Sequence, residues 1–153
     1  MKTFARSIVI EAPRGWLFDV MQDYTCRLSW DAFLSKAELV GGAAAAGPGV
    51  RALCVDGAGR ELETEYVTFA PPERVAVKMT RGPWMIGAFA GSWVYEELAP
   101  ARTKVTFRYG LSLRPRLLGA AGDLALSKLF ALSMGWRLAS AKERLEELYA
   151  AAR

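Results

Sequence analysis

The stretch Thr103-Lys104-Val105-Thr106-Phe107-Arg108-Tyr109-Gly110-Leu111-Ser112-Leu113 alternates between apolar and polar side chains. Because successive side chains of a strand point to opposite faces, the two sets fall on two faces. The apolar set is Val105, Phe107, Tyr109, Leu111 and Leu113, and the polar set includes Lys104, Thr106 and Arg108. One buried face and one wet face are typical of an antiparallel sheet that is covered on a single side. The stretch therefore predicts such a sheet.

The sequence that follows predicts the covering layer. From Leu124 to about Ala150 the chain has no proline, and apolar residues recur at the helical period. Asp123 is placed to cap the N-terminus of this segment. The main apolar stripe is Leu124, Ala131, Met134, Leu138, Ala141, Leu145 and Leu148. We expect one long helix that lays this stripe on the sheet.

Upstream, the pattern predicts the rest of an α+β fold. Residues 4–11 are rich in β-branched side chains, helical spacing follows Pro13 as far as Asp23, and a second short helix spans about 26–33. The apolar period then changes to two, with breaks at glycine and proline. The later strands are predicted at 36–40, 50–55, 61–67, 75–80, 86–98 and 103–113. We expect six to seven antiparallel strands in a single domain over residues 1–153.

Composition excludes several classes of protein. The chain of 153 residues is 52% hydrophobic and 24% charged, as expected for one globular domain. No apolar run approaches the roughly 18 residues of a membrane span, so no integral membrane association is expected. The first residues, Met1–Arg6, lack the apolar core of a signal peptide, and a cytoplasmic location is expected.

The chain has no histidine and two cysteines, Cys26 and Cys54. A Ser-His-Asp triad and a histidine-ligated zinc site are therefore impossible. Two cysteines are not a disulfide framework, and buried thiols are the simpler interpretation. We expect neither a metal nor a cofactor. Any acid or base must be Asp, Glu, Lys, Tyr or Cys.

The net charge of +4 is spread along the chain rather than gathered in a basic stripe with aromatic residues between. Nucleic acid is therefore not an expected partner. The charged candidates for chemistry are Asp19, Asp23, Asp31, Asp56, Arg81 and Glu97. Asp19 and Asp23 share a helix face, but two such acids are more simply explained as solvated side chains.

Three segments resemble a known family. They are Ile8–Pro13 followed by Trp16–Phe18, Gly91–Glu96 followed by Thr103–Phe107, and the terminal Leu138–Glu146. With the order of the predicted elements, they resemble the helix-grip fold of the START-like superfamily, which includes the polyketide cyclase/dehydrase and lipid transport family. The resemblance covers the whole chain. It implies a curved sheet wrapped around the long helix, and a cavity between them for a lipid, polyketide or other apolar molecule.

The candidate cavity residues are inward positions of the strands, the loop at 81–87 and the helix stripe. They are Tyr66, Val77, Met79, Arg81, Trp84, Phe89, Trp93, Tyr95, Phe107, Tyr109, Leu111, Leu124, Ala131, Met134 and Leu138. The alternative is that these side chains fill a core, and both interpretations stay open. Trp93 and Tyr109 are of most interest, because a buried indole N–H or phenol O–H needs a partner.

Two smaller features also leave alternatives. Gly135, beside the helix stripe, either admits a close neighbour or leaves volume for a ligand. Trp84, in the loop at 81–87, either gates a cavity mouth or packs down on the domain.

Three functions compete. The absence of an evident acid-base set favours a binder or carrier of a small hydrophobic molecule over an enzyme. The second is a cyclase or dehydratase without a metal, which would use Tyr66, Arg81, Tyr95 or Tyr109. The third is a protein-interaction module, because a second apolar stripe lies on the other side of the long helix: Leu118, Leu126, Leu129, Leu132 and Trp136. A homodimer through Leu126, Leu129 and Trp136 is expected in preference to membrane contact.

Overall fold

Seven strands form one antiparallel sheet in this computed structural model, which describes residues 3–114 and 119–153. In chain order the elements are β1 (Thr3–Ile10), α1 (Arg14–Gln22), α2 (Arg27–Trp30), β2 (Leu34–Leu39), β3 (Arg51–Asp56), β4 (Glu61–Ala70), β5 (Arg74–Arg81), β6 (Ile86–Ala99), β7 (Arg102–Leu113) and α3 (Gly119–Ala152). The strand order is β1-β7-β6-β5-β4-β3-β2, so the first strand closes against the last. The predicted α+β helix-grip architecture is confirmed.

The alternation along β7 is confirmed. Val105, Phe107, Tyr109 and Leu111 are buried, whereas Arg108 is exposed. The strand lies between β1 and β6 and pairs with both, so its buried face has a neighbouring strand on each side. Long central strands with one apolar face make the sheet wide enough to wrap around a helix.

Helices α2 and α3 differ from their predicted bounds. Helix α3 begins at Gly119 rather than after Asp123, so the expected cap at Asp123 is wrong. The added turn contains Ala120 and Ala121, which have high helix propensity. Helix α2 is only four residues long. The chain leaves it at Asp31, whose carboxylate accepts the N–H of Phe33 at 3.3 Å.

Helix α3 packs mainly on β1, and it also contacts β7 and α2. We call this edge of the sheet, where β1 pairs with β7, its closed side. Its buried residues are Ser127, Met134, Leu138, Ala141 and Leu145, while Ala131 and Leu148 are half-buried and Leu124 is exposed. Within the described residues, no helix combines the length and the apolar character that crossing a membrane requires.

Gly135 provides room for Arg6 of β1. The Arg6 guanidinium donates to the carbonyl of Ala131 from Nε at 3.3 Å and from Nη2 at 3.1 Å. A Cβ at position 135 would lie 2.9 Å from Nη2. Of the two alternatives for Gly135, the close neighbour is therefore the one observed.

A buried ion triad joins α2 to α3. Asp31 is 1% exposed, and its Oδ2 lies 3.0 Å from Nε of Arg27 and 2.6 Å from Nη2 of Arg137. Arg137 also donates from Nε to Oδ1 of Asp31 at 3.0 Å. The two-bond contact with Arg137 spans 106 positions in the sequence. Because a bidentate guanidinium–carboxylate pair has a defined geometry, it sets the position of α3 relative to α2.

Burial alone would disfavour the charged form of Asp31. The positive charges of Arg27 and Arg137, with their hydrogen bonds, outweigh that effect and hold the pKa of Asp31 below its usual range. The carboxylate is therefore ionised wherever the protein is folded near neutral pH.

We predict that Asp31→Asn lowers the free energy of unfolding at pH 7 by about 3–5 kcal/mol, because it leaves buried guanidinium groups without their anion. The pKa of Asp31 is lower in the folded state than in the unfolded state, so its ionised form stabilises the fold. This contribution is complete above about pH 4, and it is lost as the pH falls through the folded-state pKa. The difference between the variant and the natural protein should therefore shrink in acid. Urea unfolding at pH 7 and pH 3 measures both effects.

The matched control is Asp19→Asn, which removes an exposed carboxylate from α1. Its effect should stay within about 0.5 kcal/mol at either pH. An Asp31 variant as stable as this control would contradict the anchoring role of the triad.

Candidate ligand-binding groove

Four inward side chains of β5 and β6 stay partly exposed: Val77, Met79, Phe89 and Trp93. Strand pairing places Val77 opposite Gly91, and Gly91 opposite Tyr109, whose side chain is buried under α3. Residues directly opposite share a face, so these side chains point into the concave side of the sheet. We call this region the inner groove and define it by Val77, Met79, Phe89, Trp93 and, on α3, Phe130.

Aromatic rings line one side of the inner groove. The ring centroids of Trp93 and Phe107 are 4.5 Å apart, and those of Phe107 and Tyr109 are 5.6 Å apart. Phe130 continues the series from the helix, 4.6 Å from Tyr109. Gly91 makes the series possible, because a Cβ there would lie 3.0 Å from Cζ of Phe107.

The predicted cavity wall divides into a closed part and an accessible part. Phe107, Tyr109, Met134 and Leu138 form a buried cluster beneath α3, and Leu111 is also buried. In this part the side chains contact one another and act as core. The accessible part is the inner groove, where the neighbouring side chains are half-buried.

A polar network lies beside Val77. The hydroxyl of Tyr66 donates to Oε1 of Gln22 at 2.7 Å, and Nε2 of Gln22 donates to the hydroxyl of Tyr95 at 2.9 Å. All three side chains are buried. Tyr66 and Tyr95 were predicted from alternation, but Gln22 was missed because nothing marks a helical glutamine as buried. Burial raises the pKa of both tyrosines, so they stay protonated and act as hydrogen-bond donors and acceptors.

Arg27 of the ion triad lies near this polar network, which we call the polar end of the groove. The guanidinium of Arg27 lies 4.8 Å from the ring centroid of Trp30 and 5.6 Å from that of Tyr24. Burial raises the pKa of Tyr24 and of Cys54, with the nearby arginines opposing the shift in each case. Both groups are therefore neutral near pH 7. Arg27 also acts on the pKa values of Tyr66 and Tyr95, so the ion triad adjoins the polar network beside the inner groove.

Three predicted site residues lie on the surface instead. Arg81 is exposed and pairs with Glu61 at 3.1 Å, and Trp84 is 70% exposed. Leu124 is exposed near the start of α3. The structure does not bring these three into the inner groove, and their contact with a ligand stays a prediction.

A second recess was not predicted from the sequence. It is a cleft of about 580 Å³, half open to solvent, between the C-terminal end of α1 and the loop 41–49. Phe18, Leu39, Phe69 and Ala43–Ala46 line it together with the polar Gln22, Tyr24 and Thr25. Alanine and glycine in a loop carry no signal for a binding site, so this cleft could not be expected from the residue pattern. Within the described ranges, no three acidic or cysteine side chains are grouped as metal ligands.

Solved structures of low sequence identity share this fold. The Zhui aromatase/cyclase from Streptomyces sp. R1128 matches 98% of this chain and 97% of its own, with a TM-score of 0.75 and 17% identity. A START superfamily protein from Mycobacterium smegmatis matches 99% of both chains, with a TM-score of 0.77 and 12% identity. The di-domain aromatase/cyclase BexL of the BE-7585A biosynthetic pathway gives a TM-score of 0.80 at 14% identity.

This chain covers 47% of the di-domain protein, and 95% of its own length is matched there. No curated protein matches the chain in sequence. The structural similarity shows the helix-grip fold. Residues 1–146 match the model of one family, described as polyketide cyclase / dehydrase and lipid transport, and the chain belongs to that family.

Tyr109 gives a test of how the closed part of the wall is packed. Its hydroxyl is buried and has no hydrogen-bond partner among the described residues. We predict that Tyr109→Phe raises the free energy of unfolding by about 1 kcal/mol, because it removes an unpaired polar group and keeps the ring. Equilibrium unfolding in urea measures the change.

Tyr95→Phe is the control, since the hydroxyl of Tyr95 is paired with Gln22. It should lower the free energy of unfolding by about 1 kcal/mol. A loss of stability in both variants would show that the Tyr109 hydroxyl has a partner in solution.

Proposed function

We propose that this protein binds a small hydrophobic molecule in the inner groove and can carry it. The observation that carries the proposal is the partial exposure of Val77, Met79, Phe89 and Trp93, although they point into the concave side of the sheet. In a filled core such side chains would be buried, as Tyr95 and Phe107 are. Accessible apolar and aromatic surface inside a fold is typical of sites for small apolar ligands.

The polar groups of the groove favour binding over catalysis. Tyr66 and Tyr95 converge, but each is paired with Gln22 and kept protonated. A general base must be able to accept a proton at the working pH, so these phenols could act only as acids, and no described group of the network is placed to act as their base. Arg81, the other candidate for a cyclase or dehydratase, is paired with Glu61 at the surface. A cytoplasmic location stays a prediction from the sequence.

The experiment uses N-phenyl-1-naphthylamine, a neutral fluorescent probe whose emission rises in an apolar site. We expect saturable binding to the natural protein, and a loss of affinity of tenfold or more in Val77→Trp, because the indole would occupy the groove. Lys78→Trp is the matched control: the neighbouring residue is exposed on the outer face of the same strand. Thermal unfolding of both variants confirms that they are folded.

A third variant, Ala44→Trp, fills the cleft between α1 and loop 41–49. Loss of binding in this variant, with binding retained in Val77→Trp, would move the ligand to the cleft and overturn the proposed site. Absence of saturable binding by the natural protein would overturn the proposed function.

We also propose that two copies associate through an outer stripe of α3, formed by Leu129, Leu132 and Trp136. These side chains are 64%, 67% and 79% exposed. Leu126, also expected in a dimer, is half-buried, and Leu118 lies outside the described residues. An antiparallel pair of α3 helices centred between residues 130 and 131 places Leu129 opposite Leu132 and Trp136 opposite Ala125. The stripe is thus complementary to itself, as a two-fold interface requires.

The area favours a weak dimer. The stripe exposes on the order of 400 Å² of apolar surface per copy, or about 800 Å² for the pair, which is below the roughly 1,200 Å² of a stable specific interface. We predict dimers in the micromolar range by sedimentation velocity, and a shift to monomer in Trp136→Glu. Ala150→Glu, exposed near the end of the same helix, is the control. A natural protein that stays monomeric over that range would contradict the interface.

A further inference from the structure

We propose that the ligand of the inner groove is an apolar molecule with an acidic head group, a carboxylate, held by Arg27 and Arg137. This inference rests on the proposed function and adds the chemical class of the ligand. It is carried by an imbalance of charge at the polar end of the groove. Two guanidinium groups face a single carboxylate there, that of Asp31.

No other described group at this end compensates the second positive charge. Tyr24, Cys54 and Tyr66 are the titratable neighbours, and all three are neutral because burial raises their pKa values. A charge in a poorly solvated site is costly unless it is paired. The site therefore favours one additional anion.

Arg27 is connected to the groove through the polar network that contains Tyr66. Tyr66, beside Arg27 and Tyr24, is paired across the sheet with Val77 of the groove floor. Arg137 lies seven residues, about two helical turns, after Phe130, on the same side of α3. Its side chain is 26% exposed, so its guanidinium is not sealed inside the core.

Asp31 does not use all the donors of the two arginines. It accepts from Nε of Arg27 and from Nε and Nη2 of Arg137. Further N–H groups remain on both side chains, since a guanidinium has five. A planar carboxylate matches the spacing of these donors better than an alcohol or an ester does. The rings of Trp93 and Phe89 would then contact the apolar body of the same molecule.

The test compares 2-naphthoic acid with 2-naphthamide by titration calorimetry at pH 7, where the acid is ionised. The two probes share one ring system and differ in the charge of the head group. We expect the natural protein to bind the acid at least tenfold more tightly than the amide.

The variant is Arg137→Gln, which removes the excess charge and leaves Arg27 paired with Asp31. We expect it to weaken binding of 2-naphthoic acid about tenfold more than binding of 2-naphthamide, the usual scale for one charge-assisted hydrogen bond, so that any change in the shape of the groove cancels in the ratio of the two affinities. Arg144→Gln removes an exposed arginine from the same helix and should change neither affinity. Should Arg137→Gln fail to fold, the comparison of acid and amide in the natural protein decides alone.

The outcomes separate the two proposals. Equal affinity for acid and amide would overturn the acidic head group and leave the apolar site standing. If the natural protein bound neither naphthalene probe nor N-phenyl-1-naphthylamine, both proposals would fail. A preference for the acid that Arg137→Gln and Arg144→Gln reduce equally would overturn the assignment to these arginines.

Discussion

The buried carboxylate of Asp31 is the interaction on which the arrangement of the helices depends. Helix α2 has four residues, too few to be stable without tertiary contacts. Asp31 ends this helix and accepts hydrogen bonds from Arg27 in α2 and Arg137 in α3. Burying such ions costs several kcal/mol each, and the cost is offset only when the geometry and the remaining hydrogen bonds are good. The triad therefore stabilises one relative position of the two helices more than it stabilises folding in general.

That position determines what lies over the concave face of the sheet. Helix α3 packs mainly on β1, where Gly135 admits the guanidinium of Arg6. On the sheet, Gly91 admits the ring of Phe107 in the same way. Both glycines bring large side chains together at the closed side of the sheet. The inward residues of β5 and β6 lie outside the buried cluster of Phe107, Tyr109, Met134 and Leu138. Val77 and Trp93 are consequently only half-buried.

The sequence was sufficient to predict the sheet and the long helix, because their apolar periods are long and unbroken. The alternation along 103–113 located β7 to within one residue. The start of α3 was less predictable, since the alanines before Leu124 add helix propensity without adding to the stripe. Of the residues that define the groove, Val77, Met79, Phe89 and Trp93 were expected from alternation and Phe130 was not, and their contact with a ligand stays a prediction. Asp31 appeared only as one charged candidate among several, because its partner Arg137 is 106 positions away. A contact of that separation depends on the fold and leaves no local pattern.

The electrostatics of the polar end support the proposal of a binding site rather than a site of proton transfer. Asp31 stays ionised because its pKa is held low by the two arginines, and Arg27 keeps its proton because the charge of Asp31 and the hydrogen bond to it oppose the effect of burial on its pKa. Tyr66 and Tyr95 stay neutral because burial raises their pKa values. Each of these groups thus keeps one protonation state around neutral pH, and the chain has no histidine to change that. A site whose donors do not titrate presents a constant charge to its ligand. Such a site can select a head group by charge, but it has no group poised to give and take a proton in turn.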